Sequence, residues 1–459
     1  MTEPYDVAII GAGVVGTALA RELAGYELRC VLLDAAADVG TGTSKANTAI
    51  LHTGFDATPG TLEARLLRHG YGLLRDYARR TGIAVERTGA LLVAWTDEEL
   101  TALGYLADKA GRNSYDAVRE LRADEVYARE PHLGRGVRGG LAVPDECIID
   151  PWATPLAFAT EALAGGVELR PATPVLAVRA GPDGEHLLEI PGGTLRTRWL
   201  VNAAGLSSDR IDRMLGHEDF TIRPRRGELV VFDKLARPLL SSVLLPVPTE
   251  RGKGVLVAPT VFGNVLLGPT ADDVEDRTAT ATTAAGLAGL LAKGRRILPA
   301  LVDEEVTATY AGLRAATEHD DYRIRVHPAQ RYACAGGIRS TGLSASMAIA
   351  EHLVELMEDG GLKLLPRPRP EPPRMPSVGE ARPRPYQQAG RIAADPAYGS
   401  IVCHCERVTA GELRDALASP LPPADLDGLR RRTRALNGRC QGFWCGAEVA
   451  GLLAARVAR

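Results

Sequence analysis

The chain opens with short apolar runs separated by small and polar residues, a pattern typical of buried strands joined by helices. Residues 7–10 form a continuous apolar segment, which predicts a strand buried on both faces. A helix-forming run covers 17–23, and a second apolar strand, 28–33, stops at Asp34. This order predicts a strand–helix–strand unit at the start of an α/β domain.

Farther along, the hydrophobic pattern changes between helical and strand-like periods. Residues 61–80 carry leucines at helical spacing, which predicts an amphipathic helix. From 222 to 268 apolar and polar residues alternate, which predicts an antiparallel sheet that caps the first domain. Between 361 and 398 nine prolines accompany six arginines, so we expect an extended linker at a domain boundary.

Bulk properties narrow the class of protein. A chain of 459 residues is too long for one ordinary core, so two or three domains are expected. The 54 basic and 57 acidic residues nearly balance, so nothing in the charge indicates nucleic-acid binding. No apolar run reaches the roughly 18 residues of a membrane span. Because the first strand begins at once, we expect no signal peptide.

A glycine motif, Gly11-x-Gly13-x-x-Gly16, joins the first strand to the first helix. In such a motif Gly11 makes the tight turn, Gly13 lets the backbone approach a pyrophosphate, and Gly16 lets helix and strand pack closely. The helix N-terminus would hold the phosphates. Asp34 is placed to bind ribose hydroxyls. The order and spacing of the first strand, the glycine motif, the helix, the second strand and Asp34 favour dinucleotide binding over a fortuitous glycine-rich turn. This pattern does not distinguish NAD binding from FAD binding.

The loop at 40–54 is rich in glycine and hydroxyl residues and ends near His52. Such residues offer hydrogen-bond donors without bulk, which suits a flavin ring or a phosphate; the alternative is a surface turn. His52 is a candidate base at the apolar end of the loop, and a structural histidine is the alternative.

Two more segments end in small residues, at 202–205 and at 334–346, where a helix begins. Both allow close backbone approach to a ligand. Arg314 and Arg339 follow bends in the chain. Each is either a solvated arginine or a clamp for an anionic substrate.

Four of the seven cysteines lie within the last sixty residues, in the pattern Cys403-x-Cys405, 34 residues, Cys440-x4-Cys445. Two close thiol pairs suit an iron–sulfur cluster, and the short Cys-x-Cys spacing disfavours the alternative, zinc. This cysteine usage predicts a reducing cytoplasm rather than a disulfide framework. The basic run 430–434 leads towards Cys440 and is either a docking surface for an acidic electron-transfer partner or a charged helix face.

Taken together, these motifs resemble those of FAD-dependent oxidoreductases of the D-amino-acid oxidase superfamily, and within it the FAD-linked glycerol-3-phosphate and L-2-hydroxyglutarate dehydrogenases. The likeness covers about the first 360 residues and is carried by residues 10–16, 44–47, 51–54, 202–205, 312–314 and 336–342. The tail resembles the [2Fe–2S] domain of bacterioferritin-associated ferredoxin type. That domain is also fused to the catalytic subunit of anaerobic glycerol-3-phosphate dehydrogenase.

The resemblance implies two cofactors, FAD and a [2Fe–2S] cluster held by the four cysteines of the tail. The residues expected to contact FAD are Gly11, Gly13, Val14, Val15, Gly16, Asp34, Thr43, Ser44, Asn47, Val175, Ala204, Gly205, Gly312, Gly337, Gly342, Leu343 and Ser344. The chemistry then expected is hydride transfer to flavin N5 from a carbon that bears a hydroxyl or an amine.

The substrate expected from the resemblance is sn-glycerol 3-phosphate or a similar anionic 2-hydroxy compound. Arg314 would bind its anionic end, with help from Arg339 or Lys253, and His52 would take the hydroxyl proton. Because a cluster carries single electrons, the acceptor is expected to be a partner subunit or a quinone-linked chain. We expect a cytoplasmic enzyme, with a partner as the route to any membrane association.

The expected fold is α/β and α+β, with a Rossmann-like FAD-binding domain, an inserted antiparallel-sheet substrate domain and a small, mainly helical iron–sulfur domain. The boundaries are 1–90, 140–215 and 325–360 for FAD, 91–139 and 216–324 for the cap, 361–398 for the linker, and 399–459 for the cluster. Competing hypotheses are an L-2-hydroxyglutarate dehydrogenase, an amine or imino-acid dehydrogenase of the sarcosine, proline or opine type, and a non-catalytic electron-transfer subunit.

Overall fold

A computed structural model describes residues 3–248 and 254–457. Its first sheet is organised around the opening strand, Tyr5–Ile10, which pairs in parallel with Cys30–Leu33 on one side and Gly193–Asn202 on the other. Glu168–Arg170 continues the parallel sheet beyond Cys30–Leu33. The predicted strand–helix–strand unit is therefore present, with its crevice at the ends of these strands.

The long strand Gly193–Asn202 belongs to two sheet branches. Its first half pairs antiparallel with His186–Ile190, which pairs in turn with Ala177–Ala180. Its second half pairs in parallel with Tyr332–Gly336, and Arg323–His327 closes that edge. The strands that precede and follow residues 216–324 in the chain therefore lie side by side in one sheet.

Helices cover one face of this sheet. Val14–Leu23 packs between Ala153–Ala164 and Gly342–Asp359, and the apolar side chains between sheet and helices form the largest core. The opposite face carries the short helix Ser208–Met214. The remaining helices of the first 360 residues are Leu62–Thr81, Asp97–Arg112, Ala123–Arg129 and Ala284–Ile297. Among helices of the described ranges, none combines the length and apolar content that crossing a bilayer requires.

The cap is a second, nine-stranded sheet. Its members are Ala90–Ala94, Arg119–Arg122, Gly139–Val143, Arg223–Phe232, Val243–Pro246, Leu256–Pro259, Val265–Gly268, Asp272–Asp273 and Val306–Ala316. The pairing is antiparallel as predicted, except that Val243–Pro246 lies parallel to Ala90–Ala94. These two strands come from separate insertions, so no hairpin fixes their relative direction.

A small three-stranded sheet lies where the first domain meets the cap. Cys147–Ile149 pairs on one side with Ile50–Leu51 and on the other with Val85–Glu86. This sheet fixes the residues that follow Leu51 against those that precede Cys147. Both segments carry side chains of the site described below.

The C-terminal domain has its own small core, which includes Val402, Val408, Leu413, Leu429 and Val449. A two-stranded ribbon, Ile401–Cys403 with Val408–Thr409, precedes the helices Ala410–Leu417, Leu426–Thr433 and Gly446–Val457. The domain is mainly helical, as predicted.

Residues 361–398 are extended over much of their length, with short turns from 385 onward, but they do not form a solvated connector. Pro366 bridges to Tyr26, and Arg369 forms an ion pair with Glu22. Arg384 is only 2% exposed and pairs with Glu412 of the C-terminal domain at 2.9 Å. The segment is therefore packed along the first domain and anchored at both ends.

Candidate functional site

The glycine turn has the geometry of a phosphate-binding turn. Gly11 has φ +106°, and a side chain there would place its Cβ 2.4 Å from the carbonyl oxygen of Ala203. At Gly16 a Cβ would lie 1.8 Å from the carbonyl oxygen of Gly11. The helix begins at Val14, whose N–H donates to Ser44 Oγ at 2.9 Å. Because side chains are excluded here and a helix begins at the turn, the crevice fits a pyrophosphate.

Asp34 lies beside this turn, where the sequence places it. One carboxylate oxygen accepts from Ala12 N at 2.6 Å and the other from Ala36 N at 2.8 Å. Burial raises the pKa of Asp34, against the effect of these two N–H groups. Val175 packs against the core that holds the ends of the first two strands. The carboxylate is thus held at the edge of the crevice, next to the glycine turn.

The loop at 43–54, hereafter the hydroxyl loop, lies along a strand of the cap. Thr43 Oγ1 donates to the carbonyl of Leu313 at 2.9 Å, and the Tyr310 hydroxyl donates to the carbonyl of Asn47 at 2.7 Å. At Gly312 a Cβ would lie 2.3 Å from the Ala46 carbonyl oxygen, so only glycine allows this approach. The loop therefore connects the phosphate turn to the cap, and it is not a surface turn.

His52 is positioned by two groups from distant parts of the sequence. Its backbone N–H donates to Ser344 Oγ at 2.9 Å, at the start of the helix Gly342–Asp359. Its Nδ1 lies 3.1 Å from Glu146 Oε2. The other oxygen of Glu146 accepts from the N–H and the hydroxyl of Thr53, both at 2.7 Å.

Sequence reasoning missed Glu146. It lies in the segment 144–151, whose prolines and Asp150 are the signals of a helix start and do not point to a site. The carboxyl is completely buried, whereas the His52 side chain is 21% exposed. A buried acid beside a partly exposed imidazole is a pair that can orient a general base. The only signal in the sequence was an acid that precedes a buried strand.

Arg314 is half-buried on the strand Val306–Ala316. Its Nη1 donates to the carbonyl of Thr270 at 3.4 Å, and no carboxylate of the described residues forms an ion pair with it. Burial lowers the pKa of Arg314, and the neighbouring Arg225 lowers it further. At Gly227 a Cβ would lie 2.9 Å from the guanidinium, so this second missed residue leaves the room that the arginine occupies. The guanidinium lacks a carboxylate partner within the described chain.

The other two predicted anion ligands are placed differently. Arg339 pairs with Glu63 at 3.1 Å and also donates to the carbonyl of Asp320, so its charge is already compensated. Lys253 lies outside the described residues.

The remaining predicted cofactor contacts border the same crevice. Ala204 and Gly205 follow the strand end that contacts Gly11, and Gly337 precedes the bend before the next helix. Gly342 is the first residue of that helix, followed by Leu343 and Ser344. The structure therefore brings the glycine turn, the hydroxyl loop, His52 and this helix start together.

The four cysteines of the tail converge on one place. Cys405 lies beside Cys440 and Cys445 beside Cys403, and in both Cys405 and Cys445 burial and the neighbouring thiol raise the pKa. Backbone N–H groups of the loop, first among them that of Trp444, lower the pKa of Cys440. Four thiols surrounded by N–H donors fit a metal–sulfur cluster.

Three of the four arginines in the basic run 430–434 face inward, and Arg430 is partly exposed. Arg431 and Arg432 are each 7% exposed, and both pair with Asp38 of the first domain, at 2.9 and 2.6 Å. These two side chains therefore cannot dock a separate acidic partner, and the helix is not simply a charged face. They hold the C-terminal domain against the residues that follow Asp34.

A crevice of this shape joined to a four-thiol domain defines a flavoprotein oxidoreductase that carries an iron–sulfur domain. The chain belongs to the DAO family, described as FAD dependent oxidoreductase, whose model matches residues 6–356. Residues 401–455 match the BFD-like [2Fe-2S] binding domain. These two matches confirm the predicted cofactors, FAD and a [2Fe–2S] cluster. For the four cysteines, the family match supports the iron–sulfur cluster and not the alternative, zinc.

Individual relatives agree with this assignment. The glycerol 3-phosphate dehydrogenase of Caloramator mitchellensis is 34% identical over 98% of this chain and 94% of that protein. The glycerol 3-phosphate oxidase of Mycoplasma pneumoniae is 31% identical over 77% of this chain and 95% of that protein. The reduced, FAD-bound structure of L-alpha-glycerophosphate oxidase from Mycoplasma pneumoniae has a TM-score of 0.77 at 30% identity and covers 81% of this chain and 98% of that chain.

Proposed function

We propose that this enzyme oxidises sn-glycerol 3-phosphate, or a similarly small anionic 2-hydroxy compound, and passes the electrons through its cluster to a separate acceptor. The half-buried Arg314, without a carboxylate partner among the described residues, is the observation that carries the proposal. A desolvated guanidinium is stabilised by an anion that forms a bidentate pair with it.

His52 and Glu146 supply the proton chemistry. When Glu146 accepts the Nδ1–H of His52, the imidazole is held in the tautomer whose Nε2 carries the lone pair. That nitrogen can take the proton of the substrate hydroxyl. FAD supplies the two-electron acceptor for the hydride when it is bound. Arg314 fixes the anionic end, so the carbon that bears the hydroxyl is oriented with respect to His52.

Two relatives support the choice of substrate: both are named for glycerol 3-phosphate, and one of them matches nearly the whole chain. The human L-2-hydroxyglutarate dehydrogenase is 28% identical and covers 59% of this chain and 61% of that protein. We therefore propose glycerol 3-phosphate ahead of L-2-hydroxyglutarate as the substrate.

An anaerobic substrate screen tests this order. The purified flavoprotein is mixed with sn-glycerol 3-phosphate, its enantiomer, L-2-hydroxyglutarate, sarcosine or L-proline, and the loss of flavin absorbance is followed. Bleaching by sn-glycerol 3-phosphate is the expected result. Bleaching only by L-2-hydroxyglutarate would move the substrate class to dicarboxylates, and bleaching only by the amines would overturn the hydroxy-compound assignment.

The acceptor is proposed to be a redox partner protein or a quinone-linked chain. Phe443 and Trp444, in the loop between Cys440 and Cys445, are 93% and 70% exposed, and Trp444 contacts His404 edge-to-face. The cluster loops are thus open to a partner on this side. A reducing cytoplasm, where thiol ligands persist, is the compartment that we propose.

A further inference from the structure

We propose that Trp152 and Arg434 form an interdomain bridge that positions the [2Fe–2S] domain for electron transfer from the flavin side of the molecule. The bridge begins at the hydroxyl loop, expected next to the flavin, and ends beside a cluster ligand. It rests on the two cofactors of the family and does not depend on which substrate the enzyme takes.

The first half of the bridge belongs to the FAD-binding and cap domains. Trp152 Nε1 donates to the carbonyl of Lys45, inside the hydroxyl loop, at 3.0 Å. The Trp152 ring is stacked on Phe262, with centroids 5.2 Å apart and planes at 19°. The two stacked rings, one from the turn before the helix Ala153–Ala164 and one from the turn between two cap strands, thus form an aromatic surface at the edge of the hydroxyl loop.

Arg434 lies over that surface. Its guanidinium is 4.2 Å from the centroid of Phe262 and 5.7 Å from that of Trp152. The same group donates to Asn264 Oδ1 at 2.9 Å and to Glu406 Oε2 at 3.2 Å. Glu406 follows the cluster ligand Cys405 directly in the chain. One side chain therefore contacts the aromatic surface, the cap and the cluster loop.

Arg434 holds this place at a conformational cost. It ends the helix Leu426–Thr433 with φ +73°, a left-handed conformation that glycine usually occupies at this point. It is 5% exposed and Glu406 is 3% exposed, so both buried charges need ion-pair partners. Glu406 pairs with Lys234 as well as with Arg434, each at 3.2 Å. A residue that merely ended the helix would not need this side chain.

A second set of contacts fixes the orientation of the same helix. Arg431 and Arg432 hold the buried Asp38. At Gly428 a Cβ would lie 2.4 Å from Asp38 Oδ2, so the helix backbone approaches the carboxylate closely. Contacts at Asp38 and at Arg434 together leave the domain little freedom to rotate.

Substrate oxidation delivers two electrons to the protein, and the cluster accepts them one at a time. The bridge residues gain and lose no electrons. The bridge residues fix the distance between the flavin side of the molecule and the cluster, and they fill the space between the two with packed atoms. Electron transfer between two cofactors slows when the gap between them widens or loses its packed atoms, so loosening the bridge should slow cluster reduction and leave flavin reduction unchanged.

The test compares flavin reduction with cluster reduction in the holoenzyme. The flavin is reduced anaerobically by light with a sacrificial donor, which removes any dependence on substrate identity, and cluster reduction is followed by electron paramagnetic resonance and absorbance. Arg434→Gln is expected to slow cluster reduction several-fold with flavin photoreduction unchanged. Arg434→Lys should recover part of the rate. Arg430→Gln, on the same helix but bonded to Asn437, is the matched control.

Trp152→Phe keeps the stacked ring but loses the bond to the Lys45 carbonyl, and it leaves the C-terminal domain untouched. It provides the test if Arg434→Gln loses its cluster, and we expect a smaller slowing of cluster reduction than in Arg434→Gln. Small-angle scattering of Asp38→Asn/Arg434→Gln should show an enlarged radius of gyration. Wild-type cluster reduction in both Arg434→Gln and Trp152→Phe, or equal slowing in Arg430→Gln, would overturn the proposal.

Discussion

At the scale of single residues, the site depends on one buried acid and on one arginine that has no acidic partner among the described residues. Glu146 is fully buried and bonded through both oxygens, so it can hold the His52 ring but cannot readily move. Arg314, by contrast, has a carbonyl as its partner. Orientation of the base and capture of the anion are therefore separate properties that separate substitutions can test.

Glu146→Gln should slow flavin reduction about 100-fold, because the amide N–H₂ would face Nδ1 and favour the wrong tautomer of His52. Stopped-flow absorbance at saturating substrate measures the rate, and the substrate dissociation constant should change little. Glu130→Gln removes another buried carboxylate that accepts backbone N–H groups, far from His52 in the cap, and should retain the wild-type rate. Equal slowing in both variants would mean that Glu146 acts only through stability.

Arg314→Met should weaken binding of the anionic substrate about 10- to 100-fold, since one charge-assisted hydrogen bond contributes roughly 1.5–3 kcal/mol. Titration of the flavin spectrum with a substrate analogue that cannot be oxidised measures the dissociation constant. Arg223→Gln, exposed on the neighbouring cap strand, serves as the control. An unchanged constant in Arg314→Met would place the anion elsewhere.

The sequence predicted those site residues that belong to a local motif. Gly11, Gly16 and Asp34 follow from the fingerprint, and the four cysteines follow from their spacing. Glu146 and Gly227 were not predictable because their partners, His52 and Arg314, are 94 and 87 positions away in the chain. Only the assembled sheets bring such pairs together.

At the scale of elements, local signals set the helix limits well. The helix predicted over 61–80 runs from Leu62 to Thr81, because the Thr61 side chain caps its first turn and Gly82 ends it. The helix after Pro151 begins at Ala153, because Asp150 accepts from the N–H groups of Trp152 and Ala153 and so caps its start. Strand direction in the cap was less predictable. The parallel strands Ala90–Ala94 and Val243–Pro246 come from distant parts of the chain, so no local turn sets their direction.

That Asp150 cap makes stability depend on pH. Burial raises the pKa of Asp150 from 3.8 to about 6, so between these values the folded chain holds a proton that the unfolded chain releases. The contribution of this group to stability therefore falls as the pH rises through this window. Asp150→Asn keeps the cap and cannot ionise. It should match the wild type near pH 4 and exceed it at pH 7 by up to about 3 kcal/mol, in urea denaturation curves. A variant less stable at pH 7 than at pH 4, relative to wild type, would contradict this.

At the scale of the whole molecule, two cofactor-binding units are joined by contacts rather than by a free tether. The segment 361–398 is packed on the first domain, and Arg384 and the Asp38 contacts anchor the second. Composition predicted an extended proline-rich linker and a boundary there. It could not predict the packing, because the partners Glu22 and Glu412 lie far away in sequence.

Cys403→Ser combined with Cys440→Ser should abolish bound iron and labile sulfide while FAD stays bound, since the thiols and the glycine turn belong to different units. Metal analysis, sulfide assay and the flavin spectrum provide the measurements. Cys30→Ala, which removes a buried thiol of the first sheet, should retain full iron content. Iron retained in the double variant, or stoichiometric zinc in the wild type, would contradict the assignment.

The Asp38 contact has an evolutionary consequence. A carboxylate buried between two arginines of another domain is costly once that domain is absent. Flavoproteins of this family that lack an iron–sulfur extension should therefore carry a neutral or solvent-exposed residue at the position of Asp38. An aligned set of family members would then show the acid, Trp152 and the basic run gained or lost as one inherited signature, by which the fused enzymes can be sorted from the unfused ones.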